Sequence, residues 1–249
     1  RRFGTLTNFR EWEELVGKVD HGEFVVLFGG AVEEPAETII KLPEEFISLA
    51  NKDLPVTALP FIKYLSARGI TRKEILRWKI GYCFEGNYAN RVIVPSFNNE
   101  GYINYFVARS IVDYQKKYKN PQVSKNIVFN ELYVDWDEDV VIAEGIFDAM
   151  KSSNGIPVLG STLREGSKLF KAIIRNGARV YIAFDEDAET KTNKIIQSLM
   201  SYNVEVFKID TSGYEDIAEM SQEVFDERKA NAAFMTPANH LWHRLSVVY

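Results

Sequence analysis

Apolar positions from residue 140 onward fall into short runs separated by stretches of helical spacing. The runs "VVIA", "IPVLG", "RVYIAF" and "VEVFKI" have the length and β-branching of buried strands. Between and after them, "IFDAMKSS", "GSKLFKAIIRNG", "AETKTNKIIQSLMSY" and "YEDIAEMSQEVFDERKA" predict helices. Strands that alternate with helices predict βαβ units with right-handed crossovers. Because the strands are apolar almost throughout, we expect a parallel sheet that helices cover on both faces.

The preceding part of the chain has a different pattern. "LPFIKYLSARGITRKEILRWKIGYC" predicts two amphipathic helices on either side of Gly69, and "RVIVPSF" and "YINYFVARSI" predict two strands joined by a turn. We therefore predict an α/β protein in which a smaller α+β subdomain precedes the parallel sheet. The expected divisions are an N-terminal segment of unassigned role at 1–55, the α+β subdomain at 56–138, the parallel-sheet domain at 139–228 and a C-terminal tail at 229–249.

Composition excludes several classes of protein. Of the 249 residues, 46% are apolar and 13% aromatic, which is typical of a globular chain and too apolar for a disordered one. No apolar run is long enough to span a bilayer, so we expect a soluble protein with no membrane partner. The one cysteine, Cys83, leaves no internal disulfide and no cysteine-rich zinc module, and its apolar setting favours a buried thiol.

Charge is unevenly distributed along the chain, although the net charge of −5 does not by itself indicate a nucleic-acid partner. A basic stretch leads directly into an acidic one, a pattern that suits a protein holding a polyanion and also binding cations. The basic side chains are Arg109, Lys116, Lys117, Lys119 and Lys125, and the acidic ones that follow are Glu131, Asp135, Asp137, Glu138, Asp139, Glu144 and Asp148.

The segment "FDEDAETK" places four carboxylates close together and admits three explanations: a solvated turn, a calcium loop or a metal site for phosphate chemistry. An EF-hand loop requires a glycine at its sixth position and a glutamate at its twelfth. Counted from Asp185, those positions hold Thr190 and Ile196, so the calcium loop is excluded. The second acidic run, "DWDED", fails the same test and is interpreted as a solvated turn.

The position of these carboxylates favours the metal site over strand-end residues that merely face water. Asp185 and Asp187 follow one predicted strand, and Glu144 follows another, with Asp148 one turn into the next helix. If the two strands are neighbours, the carboxylates converge beyond the carboxyl end of the sheet, where open parallel sheets bind ligands. Such a cluster repels itself unless divalent cations neutralise it, and oxygen ligands suit Mg²⁺ or Mn²⁺.

The order of these motifs resembles that of DnaG-type primases, over roughly residues 56–228. "EGIFD" followed by "DED" is similar to the first two motifs of the TOPRIM domain, and "YEDIAEM" resembles its third motif, with Asp216 as the best match. "YLSARGITRKEILRWKIGY", "RVIVPSFNNEGYINYFVARS", "KYKNP" and "VFNELY" resemble segments upstream of that domain in primases. Asn130 departs from the family's basic residue, the N-terminal zinc module is missing from this sequence, and the divergent details look phage-like.

The resemblance implies a nucleotidyltransferase that makes RNA primers from ribonucleoside triphosphates on single-stranded DNA, with Mg²⁺ or Mn²⁺ as cofactor. It assigns Glu144, Asp185 and Asp187 to the catalytic metal site, with Asp148 and Asp216 as further metal residues; Glu144 could instead act as a general base. Its expected nucleotide- and DNA-binding residues are Arg91, Arg109, Lys117, Tyr118 and Asn120. We expect a replicative helicase as partner and a cytoplasmic location in a bacterial or phage-infected cell.

Two other functions fit the same carboxylates. A TOPRIM nuclease would cut DNA with them, although the basic "KYKNP" segment favours synthesis. A non-catalytic TOPRIM module that binds single strands for recombination would have no need of the full acidic set. A topoisomerase is less favoured, because the chain is short for a DNA gate.

Overall fold

The computed structural model describes residues 38–160, 163–214 and 217–246. Residues 1–37 of the predicted N-terminal segment therefore lie outside the described part of the chain. Contacts divide the chain into two compact units, with the boundary between Tyr133 and Val134. Among the described helices, none has the length and apolar character that a membrane crossing requires. The predicted α/β class is confirmed, and each unit has a sheet of its own.

The first unit is built on a four-stranded antiparallel sheet in the order β1-β2-β3-β4. Its strands are β1 Ile47–Ser48, β2 Gly81–Cys83, β3 Arg91–Phe97 and β4 Ile103–Ser110, and its helices are Leu59–Ala67 and Arg72–Arg77. The short strand β1 lies upstream of residue 56, so part of the segment of unassigned role belongs to this sheet.

Local chemistry explains where these elements begin and end. Gly69, with φ of 71°, stands in the left-handed region just after the first helix, which separates the two helices as predicted. Thr71 and Glu74 form a reciprocal capping box that begins the second helix. In the turn between β3 and β4, the Asn98 side chain accepts hydrogen bonds from the backbone N–H groups of Glu100 and Tyr102.

Cys83 lies in the core of the first unit. It packs in one cluster with Ile93, Phe106 and Ala108. Burial, with a smaller contribution from the charge of Glu45, raises the pKa of its thiol to about 12. The expected buried, unreactive thiol is therefore what the structure shows.

The second unit is built on a five-stranded sheet in the order β6-β5-β7-β8-β9, parallel except for the edge strand β9. The strands are β5 Val140–Ala143, β6 Gly155–Pro157, β7 Val180–Ala183, β8 Val206–Lys208 and β9 Ala233–Phe234. The helices are Ile146–Ala149, Lys168–Asn176, Glu189–Met200, Gln222–Ala230 and Pro237–Ser246.

The structure corrects three of the predicted helical segments. The end of "LPFIKYLSARGITRKEILRWKIGYC" forms strand β2, because the second helix stops at Arg77 and Gly81–Cys83 pairs with β3. "IFDAMKSS" forms only the four-residue helix Ile146–Ala149, because the chain turns back at once and a Cβ on Gly155 would lie 1.9 Å from the carbonyl oxygen of Ala149. The last predicted helix is interrupted, because the Ser221 hydroxyl accepts the N–H of Val224 and begins a new helix there. Strand β9 and helix Pro237–Ser246 were not predicted.

Candidate active site

The carboxyl ends of β5 and β7 form the centre of the candidate site. The two strands are parallel neighbours, and Ala143 lies beside Ala183 in their register. The chain leaves β5 toward β6 on one side, while β7 lies on the other side. This reversal of strand order is the topological switch point at which open α/β sheets bind ligands. The expectation that the two strands are neighbours is therefore correct, and Glu144 and Asp185 both follow at this edge.

Glu144 is held by a cation from the neighbouring helix. Its Oε1 atom accepts a hydrogen bond from Lys191 Nζ at 2.6 Å, and both side chains are about one quarter exposed, at 26% and 25%. The same ammonium lies 5.0 Å from the ring centroid of Phe184, which directly follows β7. Lys191 thus bridges the ends of both strands.

Asp148 supports the turn that follows β5. Its Oδ2 atom accepts the backbone N–H of Gly145 at 2.9 Å, and the residue is buried. A Cβ at Gly145 would lie 2.7 Å from that same oxygen, so a side chain there would require the Asp148 carboxylate to shift. Asp148 therefore orders the loop that presents Glu144, and its predicted part in metal binding stays a prediction.

The other acidic residues differ in their settings. Asp185 is partly buried and precedes the short 3₁₀ turn Glu186–Ala188, in which Asp187 is exposed to solvent. Asp216 lies outside the described residues. Among the residues that the structure describes, no three His, Cys, Asp or Glu side chains are grouped closely enough to enclose a metal ion. The structure thus brings Glu144 and Asp185 to adjacent strand ends without assembling a complete set of ligands.

The loop after strand β8 contributes groups that the sequence did not indicate. The Thr211 hydroxyl, which is buried, donates to the Phe184 carbonyl at 2.9 Å and ties the loop after β8 to the end of β7. In that loop, hydrogen bonds from the side chain and backbone of Ser212 lower the pKa of Asp210. Asp210 follows β8 as Asp185 follows β7, and this shared strand-end position was the available signal.

The residues at this edge fit a hard divalent cation in their chemistry. Glu144, Asp185 and Asp187 offer only carboxylate oxygens, which Mg²⁺ and Mn²⁺ prefer. The ammonium of Lys191 forms an ion pair with Glu144, so the edge already binds one positively charged group. Such ions bind through a few carboxylates and complete their coordination with water and substrate phosphates, so two strand ends can form the protein's share of a site.

Among the predicted DNA-binding residues in the first unit, Arg91 is buried. Its guanidinium donates to the carbonyls of Lys116, Ala108 and Lys117 at 2.8, 3.3 and 3.5 Å. Burial lowers the pKa of Arg91, which nonetheless stays charged. The structure therefore gives Arg91 a role in ordering the backbone around Lys116 and Lys117.

Arg109 and Tyr118 form a pair on the other face of the sheet. The Arg109 guanidinium donates to the Tyr118 hydroxyl at 2.9 Å, and its central carbon lies 4.9 Å from the ring centroid. An isolated β-bridge links the two residues, so the segment that carries Lys116 and Lys117 runs alongside β4. Both lysines are exposed. An aromatic ring among cations at a surface is the combination that binds single-stranded nucleic acid.

Asn120 has a structural role similar to that of Arg91. Its side-chain oxygen accepts the backbone N–H of Ala108 at 3.0 Å. Beside it, Lys119 donates to the carbonyl of Asn87 at 2.7 Å and lies 5.3 Å from the ring centroid of Tyr88. Both residues fix the end of the basic segment (residues 116–120) against the sheet.

Comparisons with known proteins point to one family. A DNA primase from Thermotoga maritima is 29% identical over 182 residues, which are 65% of this chain and 32% of that protein. A DNA primase domain from Pseudomonas aeruginosa matches with a TM-score of 0.62 at 16% identity, over 80% of this chain and 79% of that one. The zinc-binding and RNA polymerase domains of the Aquifex aeolicus primase match with a TM-score of 0.57 at 20% identity, over 70% of this chain and 56% of theirs.

The chain is thus similar in sequence to a DNA primase and similar in fold to primase catalytic cores. A DnaG primase catalytic domain bound to single-stranded DNA shares the fold as well, with a TM-score of 0.58 at 15% identity over 72% of this chain and 74% of that one. The resemblance to DnaG-type primases that the sequence motifs indicated is therefore confirmed. No family model matches the chain. The chain spans about a third of the length of the curated DNA primase that it matches, at 32%.

Proposed function

We propose that this protein is the catalytic core of a DNA primase, which joins ribonucleotides on a single-stranded DNA template. The observation that carries the proposal is the placement of Glu144 and Asp185 after adjacent parallel strands, at the switch point of a sheet whose fold primase cores share. Within this proposal, residues 139–228 form the TOPRIM metal-binding domain and residues 56–138 the subdomain that binds the template.

In the proposed reaction the acidic edge holds Mg²⁺ or Mn²⁺. Glu144, Asp185 and Asp187 are the principal ligands, with Asp148 and Asp216 in support. The chemistry supplied by the bound ions is activation of the attacking 3′-hydroxyl and neutralisation of charge on the leaving pyrophosphate. The hydrogen bond from the Gly145 N–H to Asp148 keeps the loop after β5 in place, so that Glu144 stays directed to this edge.

The basic segment and Arg109 bind the template or nucleotide in the proposed division of roles. Arg109 and Lys117 contact phosphates, and Tyr118 stacks on a base. Arg91 and Asn120 hold the segment that carries these groups. The substrates are ribonucleoside triphosphates and single-stranded DNA, and the expected partner is a replicative helicase. This role belongs to the cytoplasm of a bacterial or phage-infected cell.

The test is a gel of labelled ribonucleotides incubated with single-stranded DNA, Mg²⁺ or Mn²⁺, and the protein. We expect short template-dependent RNA from the unsubstituted chain and none from Asp185→Ala, with DNA binding retained. Asp137→Ala is the matched control, because it removes an exposed aspartate from the solvated turn before β5. Shortened DNA without RNA would replace the proposal with a nuclease, and DNA binding without either product would replace it with a binding module.

A further inference from the structure

Lys191 is in a position that helix electrostatics disfavour. It lies in the first turn of helix Glu189–Met200. The N-terminus of a helix carries partial positive charge, so acidic side chains are stabilised there and cations are not. Glu189, in the same turn, follows this rule. Lys191 does not follow it, and the unfavourable interaction of its charge with the helix terminus is offset when an anion outside the helix pairs with it.

That compensation comes from Glu144. The 2.6 Å contact joins the helix that follows β7 to the residue that follows β5, and the two residues are distant in sequence. With the ammonium also 5.0 Å from the Phe184 ring centroid, the cation lies beside the ends of both strands. Partial burial of the two side chains strengthens their attraction relative to a fully solvated pair.

We propose that Lys191 is a positioning residue that serves as a resident countercation for Glu144. It holds the carboxylate at the strand edge in the metal-free protein and is displaced from it when a divalent cation binds. This inference rests on the proposed function, because it takes Glu144 as a metal ligand. It follows that Lys191 weakens metal binding, since an incoming cation must compete with an ammonium already paired with its ligand.

The primary test is the affinity for Mn²⁺, measured by electron paramagnetic resonance of the free ion, without nucleotides or DNA. We expect Lys191→Gln to bind Mn²⁺ on the order of 10-fold more tightly, because a competing positive charge is removed. Lys191→Arg keeps that charge and should stay close to the original affinity. A residue with a merely structural role would instead weaken metal binding when replaced by glutamine.

Lys208→Gln is the matched control. Lys208 pairs with Glu189 at 2.6 Å, and both side chains are partly buried, as in the Lys191 pair. The control removes the same charge from an ion pair of the same length that does not involve Glu144. We expect it to leave the Mn²⁺ affinity within about 2-fold of the original, because charge effects weaken with distance and salt.

A second measurement does not depend on RNA synthesis. Thermal unfolding of Lys191→Gln, Glu144→Gln and the double variant gives the coupling of the pair from a double-mutant cycle. We expect coupling in EDTA and its loss in saturating Mn²⁺. Unchanged or weaker Mn²⁺ binding by Lys191→Gln, or coupling that persists in Mn²⁺, would overturn the inference. Absence of RNA synthesis by the unsubstituted protein would count against the proposed function. The Mn²⁺ affinities and the double-mutant cycle test the role of Lys191 without any measurement of RNA synthesis.

Discussion

The two units place their candidate residues in opposite ways. In the second unit, Glu144 and Asp185 lie just beyond the ends of parallel strands, where the strand order alone brings them to one edge. In the first unit, Arg91 and Arg109 lie within antiparallel strands. The surroundings of each side chain therefore depend on the face of the sheet from which it projects.

The register of β3 and β4 shows why the sequence alone could not predict the surroundings of the two arginines. Arg91 is paired with Ser110, and Arg109 is paired with Val92, so the two arginines lie on opposite faces of the sheet. Arg91 is 4% exposed and binds backbone carbonyls, whereas Arg109 contacts a surface tyrosine. The position of a residue at a strand end is set by the topology of the sheet. A residue within a strand can instead lie at the surface, where it can bind a ligand, or in the interior, where it stabilises the backbone.

The strongest test of this contrast lies at the two ends of β5. Glu144→Gln should lower RNA synthesis by roughly 100-fold or more, because metal ions stabilise transition-state charge by several kcal/mol. Glu138→Gln removes the same charge at the start of the strand, where the residue is exposed. Synthesis rates for the two variants, measured with equal template occupancy, should differ by that factor. Similar rates would remove Glu144 from the reaction.

Arg91→Met tests whether the buried Arg91 stabilises the basic segment (residues 116–120). The substitution leaves three backbone carbonyls without their charged donor, and we expect a loss of about 2 kcal/mol in the free energy of unfolding. DNA binding should weaken in parallel, because the basic segment loses its anchor. Urea unfolding and DNA titration together check this. Weakened binding with unchanged stability would show that Arg91 contacts the nucleic acid directly.

Arg109→Gln should have the smallest effect on the fold. We expect a change in unfolding free energy within about 0.5 kcal/mol, since the residue is not buried. The dependence of DNA affinity on salt should become shallower by about one unit of log–log slope, as for the loss of one phosphate contact. Titrations with single-stranded DNA at several salt concentrations measure this slope. An unaltered slope would take Arg109 off the list of phosphate contacts.

Much of the fold could be predicted, because local signals agreed with the final packing. The predicted helix "GSKLFKAIIRNG" is present as Lys168–Asn176, and Gly177, with φ of 59°, ends it. Strands β1, β2 and β9 were missed because each has only two or three residues, too few to show any period. Their place in the sheets comes from pairing with strands distant in sequence.

The candidate site was predictable in position but not in its partners. Strand ends marked Glu144 and Asp185, yet nothing local to either residue indicates Lys191. The carbonyls that Arg91 binds belong to residues whose spacing from it depends on how the basic segment folds back along β4. Both misses have one physical origin, since side-chain partners are set by tertiary contacts that hydrophobic patterning does not encode.

The close approach at Gly155 has a consequence for mutational scanning. Any side chain there would collide with the carbonyl oxygen of Ala149, and backbone cannot move aside as a flexible side chain can. A scan that scores replication in cells would therefore report Gly155 to be as intolerant as Asp185, although glycine offers no group for chemistry. Scores for soluble protein abundance would separate the two, with Gly155 variants depleted and Asp185 variants present but inactive. Intolerance at this sheet is thus not by itself a map of the active site.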